Sequence, residues 1–208
     1  IQIIYNELDS GFVSASIITI IFGVLFFLSN LDHNKNIDLP QAFILTALTW
    51  LSIAIFGSLP FIFSELNLNL TDAFFESMSG ITTTGSTILT DLDNTPKGIL
   101  LWRAILQWLG GIGIILMAIT LMPIMNIGGM QLFKISSNDN AEKILPKSKE
   151  VSLRLIVIYS LLTFACAVFY KLFGMSYFDS LTHSMTTIAT GGFSNYNDSI
   201  GYFNSALI

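Results

Sequence analysis

The chain has 208 residues, of which 52% are hydrophobic and 11% charged, with a formal net charge of −5 and a mean hydropathy of +0.69. Soluble domains carry about 25% charged residues, so most of this surface must face lipid, and the acidic balance argues against nucleic acid as a partner. A single cysteine, Cys166, excludes an intrachain disulfide framework, and two separated histidines argue against a structural zinc centre.

The first apolar stretch, Gly11 to Leu28, is long enough to span a bilayer. No basic segment precedes it and no small-residue cleavage site follows, so it reads as a span and not as a signal peptide. The sequence opens without Met, and its first residue is not expected to be the native N-terminus. A linker from Ser29 to Leu39 holds Asp32, His33, Asn34, Lys35 and Asp38. Pro40 suits the first turn of a second span over 40–63, which contains Trp50 and has Pro60 near its far end.

Residues 72–87 (DAFFESMSGITTTGST) come next and set the pattern for the chain. They open as a helix, with Asp72 as a capping acid, Glu76, and an apolar stripe of Phe74, Phe75, Met78 and Ile81. They close in small side chains from Thr82 to Thr87 around Gly85. A helix of about ten residues rises only ~15 Å, half of the ~30 Å hydrocarbon core. The expected form is therefore re-entrant: a half-helix in, extended backbone out. A turn-rich loop from Asp91 to Lys97 leads to a third span over 98–122, which Pro123 and Gly128-Gly129 end. Its glycines, Gly110, Gly111 and Gly113, suit close backbone approach between helices. They make a poor nucleotide motif, because no βαβ pattern surrounds them. Arg103, beside Trp102 near the helix start, reads as snorkelling to the interface, with an ion pair to Glu76 as the alternative.

A polar, basic segment over 130–150 precedes a fourth span over 151–173, in which Cys166 reads as a small core residue. Asp179 to Ser194 then repeats residues 72–87 without gaps. Asp72 falls on Asp179, Met78 on Met185, Thr83 on Thr190 and Gly85 on Gly192, an offset of 107. Internal duplication of this length suits membrane modules. His183 takes the place of Glu76 and reads as a polar contact behind the loop, not a metal ligand. Residues 130–154 hold five of the nine basic residues (Lys134, Lys143, Lys147, Lys149 and Arg154), which places this segment in the cytoplasm. Both glycine loops then lie at the outer side. Glu65, Asp72, Glu76, Asp91, Asp93, Asp179 and Asp198 would form an acidic mouth that concentrates cations there.

Irregular backbone at membrane depth is tolerated where protein buries it or where it lines a watery path. A half-helix points the partial negative charge of its C-terminus at the membrane centre, and rings of backbone carbonyls replace the water shell of K⁺. Glycine at 85 and 192 permits φ values closed to other residues. The residues thus suit a cation filter of oxygen dipoles. An intramembrane hydrolase would need a nucleophile–base pair or paired aspartates within the spans, and no His, Asp or Glu lies mid-span to supply one. A non-conducting scaffold that keeps the pore-like fold is the other alternative.

Residues 72–87, Leu100 to Gly113 (LLWRAILQWLGGIG), Pro123 through Gly128-Gly129-Met130-Gln131, and Thr187 to Ser194 (TIATGGFS) resemble the TrkH branch of the Trk/Ktr/HKT potassium-uptake family. The resemblance covers nearly the whole chain. It implies an all-α membrane protein of helix–re-entrant pore loop–helix repeats around a cation pore, about two of the family's four being present. Residues 1–36 would be an accessory transmembrane helix and linker, and 37–129 the first repeat. Residues 130–150 would be a cytoplasmic linker, and 151–208 a second repeat truncated in its last helix. The chain is accordingly expected to be an N-terminal fragment that does not conduct alone.

The resemblance further implies K⁺ uptake through a filter formed by Thr83, Thr84 and Gly85 and by Thr190, Gly191 and Gly192. Glu76, Arg103, Ser86 and Phe193 would support it. HKT-type relatives with serine at the first filter glycine tend to pass Na⁺, so Gly85 favours K⁺; a Na⁺-permeable or non-conducting subunit is the alternative. No enzymatic activity and no cofactor are expected, with K⁺ as the transported ion. The implied setting is the inner (plasma) membrane, in contact with its lipid. The implied partners are a second copy in a homodimer and a cytoplasmic nucleotide-binding regulator of the TrkA/KtrA type.

Overall fold

A computed structural model of the chain describes residues 2–5, 10–30, 39–125, 144–205 and 207–208. The described residues are helical or irregular, with no strand among them. A single turn, α1 (Gln2–Tyr5), precedes two long helices, α2 (Ser10–Ser29) and α3 (Leu39–Phe63). The short α4 (Leu70–Ile81) leads into the long α5 (Lys97–Met125). The long α6 (Ile144–Leu172) and short α7 (Tyr177–Ile188) repeat that contrast, and a 3-10 turn covers Ser199–Phe203.

Among the described residues, four stretches are long and apolar enough to cross a membrane: Ser10–Ser29, Pro40–Phe63, Lys97–Ala118 and Glu150–Leu172. Their large side chains point outward, as at Phe26, Phe27 and Phe164, which a water-soluble fold would not allow. The third stretch differs from the rest. It is 44% buried within the protein, against 11%, 17% and 11% for the others, so α5 is the central post and α2, α3 and α6 are peripheral.

Two element ends differ from the sequence expectation. Helix α5 passes Pro123 and runs to Met125, and α6 starts at Ile144 with Pro146 in its first turn. A proline there sacrifices only an N–H that would have no helical partner. Gly128-Gly129 and most of the expected cytoplasmic linker, including Lys134 and Lys143, lie outside the described residues.

The core forms where the short helix meets the post. Phe61 of α3, Ala73 of α4, and Ile99 and Leu106 of α5 are buried together, with Phe12 of α2 and Trp102 packed on them. Polar ties cross the same interfaces. The Trp102 indole N–H donates to the Gly57 carbonyl of α3 at 2.9 Å, and the Trp108 indole donates to Thr163 Oγ1 of α6 at 3.0 Å. The Tyr159 hydroxyl donates to the Trp108 carbonyl at 3.1 Å. Trp102 and Trp108 thus pin helices together. Cys166 is half-buried on α6, not in the core.

The glycine pair on α5 has a specific use. A methyl at Gly110 would lie 1.9 Å from the carbonyl oxygen of Ile81, the last residue of α4. A methyl at Gly111 would lie 3.0 Å from Cα of Ala189, the residue that caps α7. Adjacent glycines therefore seat the C-terminal ends of both short helices on one post. Gly113 has only an ordinary 3.7 Å neighbour, the Trp50 ring. Gly110→Ala is expected to destabilise by at least ~3 kcal/mol, because the obstacle is rigid backbone. Gly113→Ala should be neutral or gain up to ~1 kcal/mol in helix propensity. Thermal unfolding of the two variants checks the order, and equal melting points would refute the seating.

Candidate functional site

The two short helices are copies at the level of individual atoms. Helix α4 is capped by Asn69, whose side chain accepts from the Asp72 amide at 2.8 Å and donates to the Asp72 carboxylate. Helix α7 is capped by Ser176, whose hydroxyl accepts from the Asp179 amide at 3.0 Å and donates to its carboxylate. The acids thus sit at the third helical position and accept from the cap side chains; Asn69 and Ser176, not the acids, are the caps. At 12 residues each, the helices rise ~18 Å.

Both helices end in the same turn. Thr83 and Thr84 donate their amides to the Gly80 and Ser79 carbonyls at 2.9 and 3.0 Å. Thr190 and Gly191 donate to Thr187 and Thr186, both at 2.9 Å. The backbone then passes twice through left-handed space, with φ of +56° at Thr83 and +79° at Gly85, and +56° at Thr190 and +79° at Gly192. The glycines accept this freely. A β-branched threonine does not, and such a residue costs ~1–3 kcal/mol that the surroundings must offset. Thr83→Gly should therefore raise stability by about 1 kcal/mol, the relieved strain less the entropy of a new glycine. Chemical denaturation measures this, and a loss of the same size would show that Thr83 is held by its side chain instead.

Behind each loop stands one polar side chain. In the first, Glu76 is fully buried and accepts from Thr87 Oγ1 at 2.9 Å and from the Ile88 amide at 3.1 Å. In the second, His183 occupies that place, with Nδ1 3.0 Å from the Asp179 carbonyl and Nε2 3.1 Å from Ser194 Oγ. The carbonyl requires the proton on Nδ1, so Nε2 accepts from the Ser194 hydroxyl. Each hydroxyl accepts in turn from an amide two residues on, Leu89 to Thr87 and Tyr196 to Ser194. A carboxylate and a neutral imidazole thus do the same mechanical task. Among the described residues no group of three metal-binding side chains occurs.

Arg103 joins the copies. It is 1% exposed, and its Nε donates to Glu76 Oε1 at 2.7 Å. Its Nη1 donates to the Ser194 carbonyl at 3.0 Å, and its guanidinium lies 4.1 Å from the centre of the Phe193 ring. The snorkelling expectation for Arg103 is replaced by this buried pair. Ser86 is tied locally, its carbonyl accepting from Ser79 Oγ at 2.6 Å.

The loops lie side by side. A methyl at Gly85 would fall 2.0 Å from the Gly191 carbonyl oxygen. Gly85, Thr87, Gly192, Ser194 and Tyr196 line one cavity of about 170 Å³. Among the described residues, no hydrogen bond reaches the carbonyls of Thr83, Thr84, Gly85, Thr190, Gly191 or Gly192. Unbonded peptide oxygens beside an opening are costly unless water or a cation meets them.

The acidic mouth is smaller than expected. Glu76 is held by Arg103, and Asp179 is 5% exposed, accepting from Asn195 Nδ2 at 2.8 Å and the Tyr196 hydroxyl at 3.1 Å. Burial, and then the Asp179 carboxylate, push the Tyr196 phenol above its ordinary value, so it stays a donor. Glu65, Asp91, Asp93 and Asp198 remain exposed. Asn197 links the segments that follow the two short helices, accepting from the Leu92 amide and donating to Asp93.

Four apolar spans and two re-entrant helices that end in paired glycine loops define a multi-pass membrane protein of duplicated pore-loop modules. The family model for TrkH, described as a cation transport protein, matches residues 9–208. The chain belongs to the TrkH family. It is 42% identical to the Trk system potassium uptake protein TrkH of Escherichia coli K12 over 214 aligned residues, covering all of this chain and 44% of that protein. It is 46% identical over 163 residues to the Trk system potassium uptake protein TrkI of Halomonas elongata, covering 78% of this chain and 33% of the relative. The crystal structure of the potassium transporter TrkH from Vibrio parahaemolyticus superposes with a TM-score of 0.81 at 38% identity, over 96% of this chain and 40% of that one. The chain thus spans less than half the length of these relatives.

Proposed function

We propose that the two glycine loops are segments of a selectivity filter through which the full-length protein takes up potassium ions across the plasma membrane. Thr83, Thr84 and Gly85, with Thr190, Gly191 and Gly192, present the peptide oxygens. Glu76, Arg103, Ser86 and Phe193 hold the loops from behind. The observation that carries this reading is that both copies repeat the same pair of left-handed residues, with Gly85 and Gly192 lining one opening and the loop carbonyls unbonded among the described residues. Such oxygens stand in for the water that K⁺ sheds, and their spacing decides which ion they suit. The two short helices add their negative C-terminal poles to the same place. The names of the relatives support K⁺ as the cargo.

In this reading the loops face the outside and residues 130–150 the cytoplasm, following the lysine bias. The protein works as a homodimer with a nucleotide-binding regulator of the TrkA/KtrA type. The test is K⁺ flux by the purified full-length protein in liposomes. Flux that Gly85→Asp abolishes is the expected result. Flux that this variant leaves intact would reject the filter, Na⁺ passing as readily as K⁺ would favour the Na⁺-permeable alternative, and no flux in either protein would favour a scaffold.

A further inference from the structure

Gln107 lies one turn beyond Arg103 on α5, has no exposed surface, and takes no part in the ion pair or the glycine seating. Its Oε1 accepts from the Phe193 amide at 3.1 Å. That bond fixes which end of the carboxamide is which, and it leaves Nε2 buried with no hydrogen-bond partner among the described residues. A methyl at Gly191 would sit 2.4 Å from both Cδ and Oε1 of Gln107, and 2.7 Å from Nε2. A methyl at Gly85 would sit 3.7 Å from the same Nε2. The carboxamide is therefore pressed against the second loop and reaches the first.

Packing alone does not call for glutamine here. A methionine would fill similar space without an orphaned buried donor, which is a costly group to keep. We propose that Gln107 is a positioning residue for ion selectivity. Oε1 fixes the Gly191–Phe193 backbone in register through the Phe193 amide. The positive Nε2 edge lies beside Gly85 and Gly191 and sets the spacing between the loops without drawing a carbonyl into a full hydrogen bond. The peptide oxygens of the loops thereby stay free while their frame stays rigid. The inference rests on the filter reading above and assigns this side chain a part in discriminating between cations of different size.

The test uses the full-length protein in liposomes, with the K⁺/Na⁺ permeability ratio as the readout and melting in K⁺, Na⁺ and choline buffers beside it. Gln107→Met removes both polar ends, and Gln107→Asn retracts the carboxamide by one methylene. Each should lower the ratio about five- to tenfold, the range of one lost neutral hydrogen bond, and shrink the extra melting protection given by K⁺. Melting in choline should stay near that of the parent. Leu109→Ala, at an exposed position on the same helix, should change neither. A folded Gln107→Met protein whose ratio stays within about twofold of the parent overturns the assignment, as does failure of both variants to fold, which would make Gln107 a packing residue. A parent that conducts, is silenced by Gly85→Asp and ignores Gln107→Met sinks this inference alone. A parent without K⁺ flux sinks the filter reading and this inference together.

Discussion

Arg103→Met should cost the full-length protein about 3–5 kcal/mol of stability and abolish its K⁺ flux. The size comes from what the substitution leaves behind. Glu76 is 0% exposed and would become a buried carboxylate holding only the Thr87 hydroxyl and the Ile88 amide. The Ser194 carbonyl would lose its Arg103 donor, and Phe193 would lose the cation above its ring. One change thus loosens both glycine loops. Removing both charges is milder, because well-packed apolar side chains replace a buried pair at little cost. The double variant Glu76→Met/Arg103→Met should therefore be more stable than the sum of the two single losses predicts, a coupling that a double-mutant cycle on thermal unfolding reads directly. Strictly additive losses, or an Arg103→Met protein that melts with the parent, would show that the pair holds nothing together.

Gly85→Ser should lower the K⁺/Na⁺ permeability ratio by about tenfold, equivalent to ~1.4 kcal/mol of discrimination. Two effects combine at this position. The backbone sits at φ +79°, where any Cβ is strained, and the new Cβ would lie 2.0 Å from the Gly191 oxygen. That obstacle is backbone of the neighbouring loop, so relief requires the loops to separate, which widens the oxygen cage. Gly85→Ala should do the same, because the clash is with Cβ and not with the hydroxyl. Bi-ionic flux measurements compare the two directly. Unchanged selectivity in a folded Gly85→Ser protein would remove Gly85 from the filter, and a wide gap between Ala and Ser would assign the effect to the hydroxyl.

Much of the architecture is legible in the amino-acid order, because hydropathy and length alone separate spans from half-helices. Helices α4 and α7 are too short and too acidic at their starts to cross a bilayer, and their gapless offset marks them as copies. The offset also carries information that goes unused at the level of motifs. Asn69 and Ser176 share the register and precede an acid by three residues, which is a capping signature, yet Asp72 and Asp179 attract attention first.

Other features leave no local trace. A left-handed threonine contradicts backbone preference, so Thr83 and Thr190 become visible only once the fold imposes them. Arg103 and Glu76 are 27 residues apart, and only the crossing of α4 over α5 turns an interfacial arginine into a buried strut. One acid of the mouth shows the same limit. Asp179 reads as surface charge in the sequence because its partners, Asn195 and Tyr196, come from another segment, whereas the Glu76–Arg103 pair is legible as the alternative to snorkelling.

Gly110 and Gly111 carry a mechanical consequence. Contacts on neighbouring residues of one rigid rod cannot be adjusted separately: tilting or twisting α5 must lift Ile81 and Ala189 at once. The two oxygen-bearing turns therefore behave as one body, and a disturbance anywhere along that rod reaches both halves of the opening together.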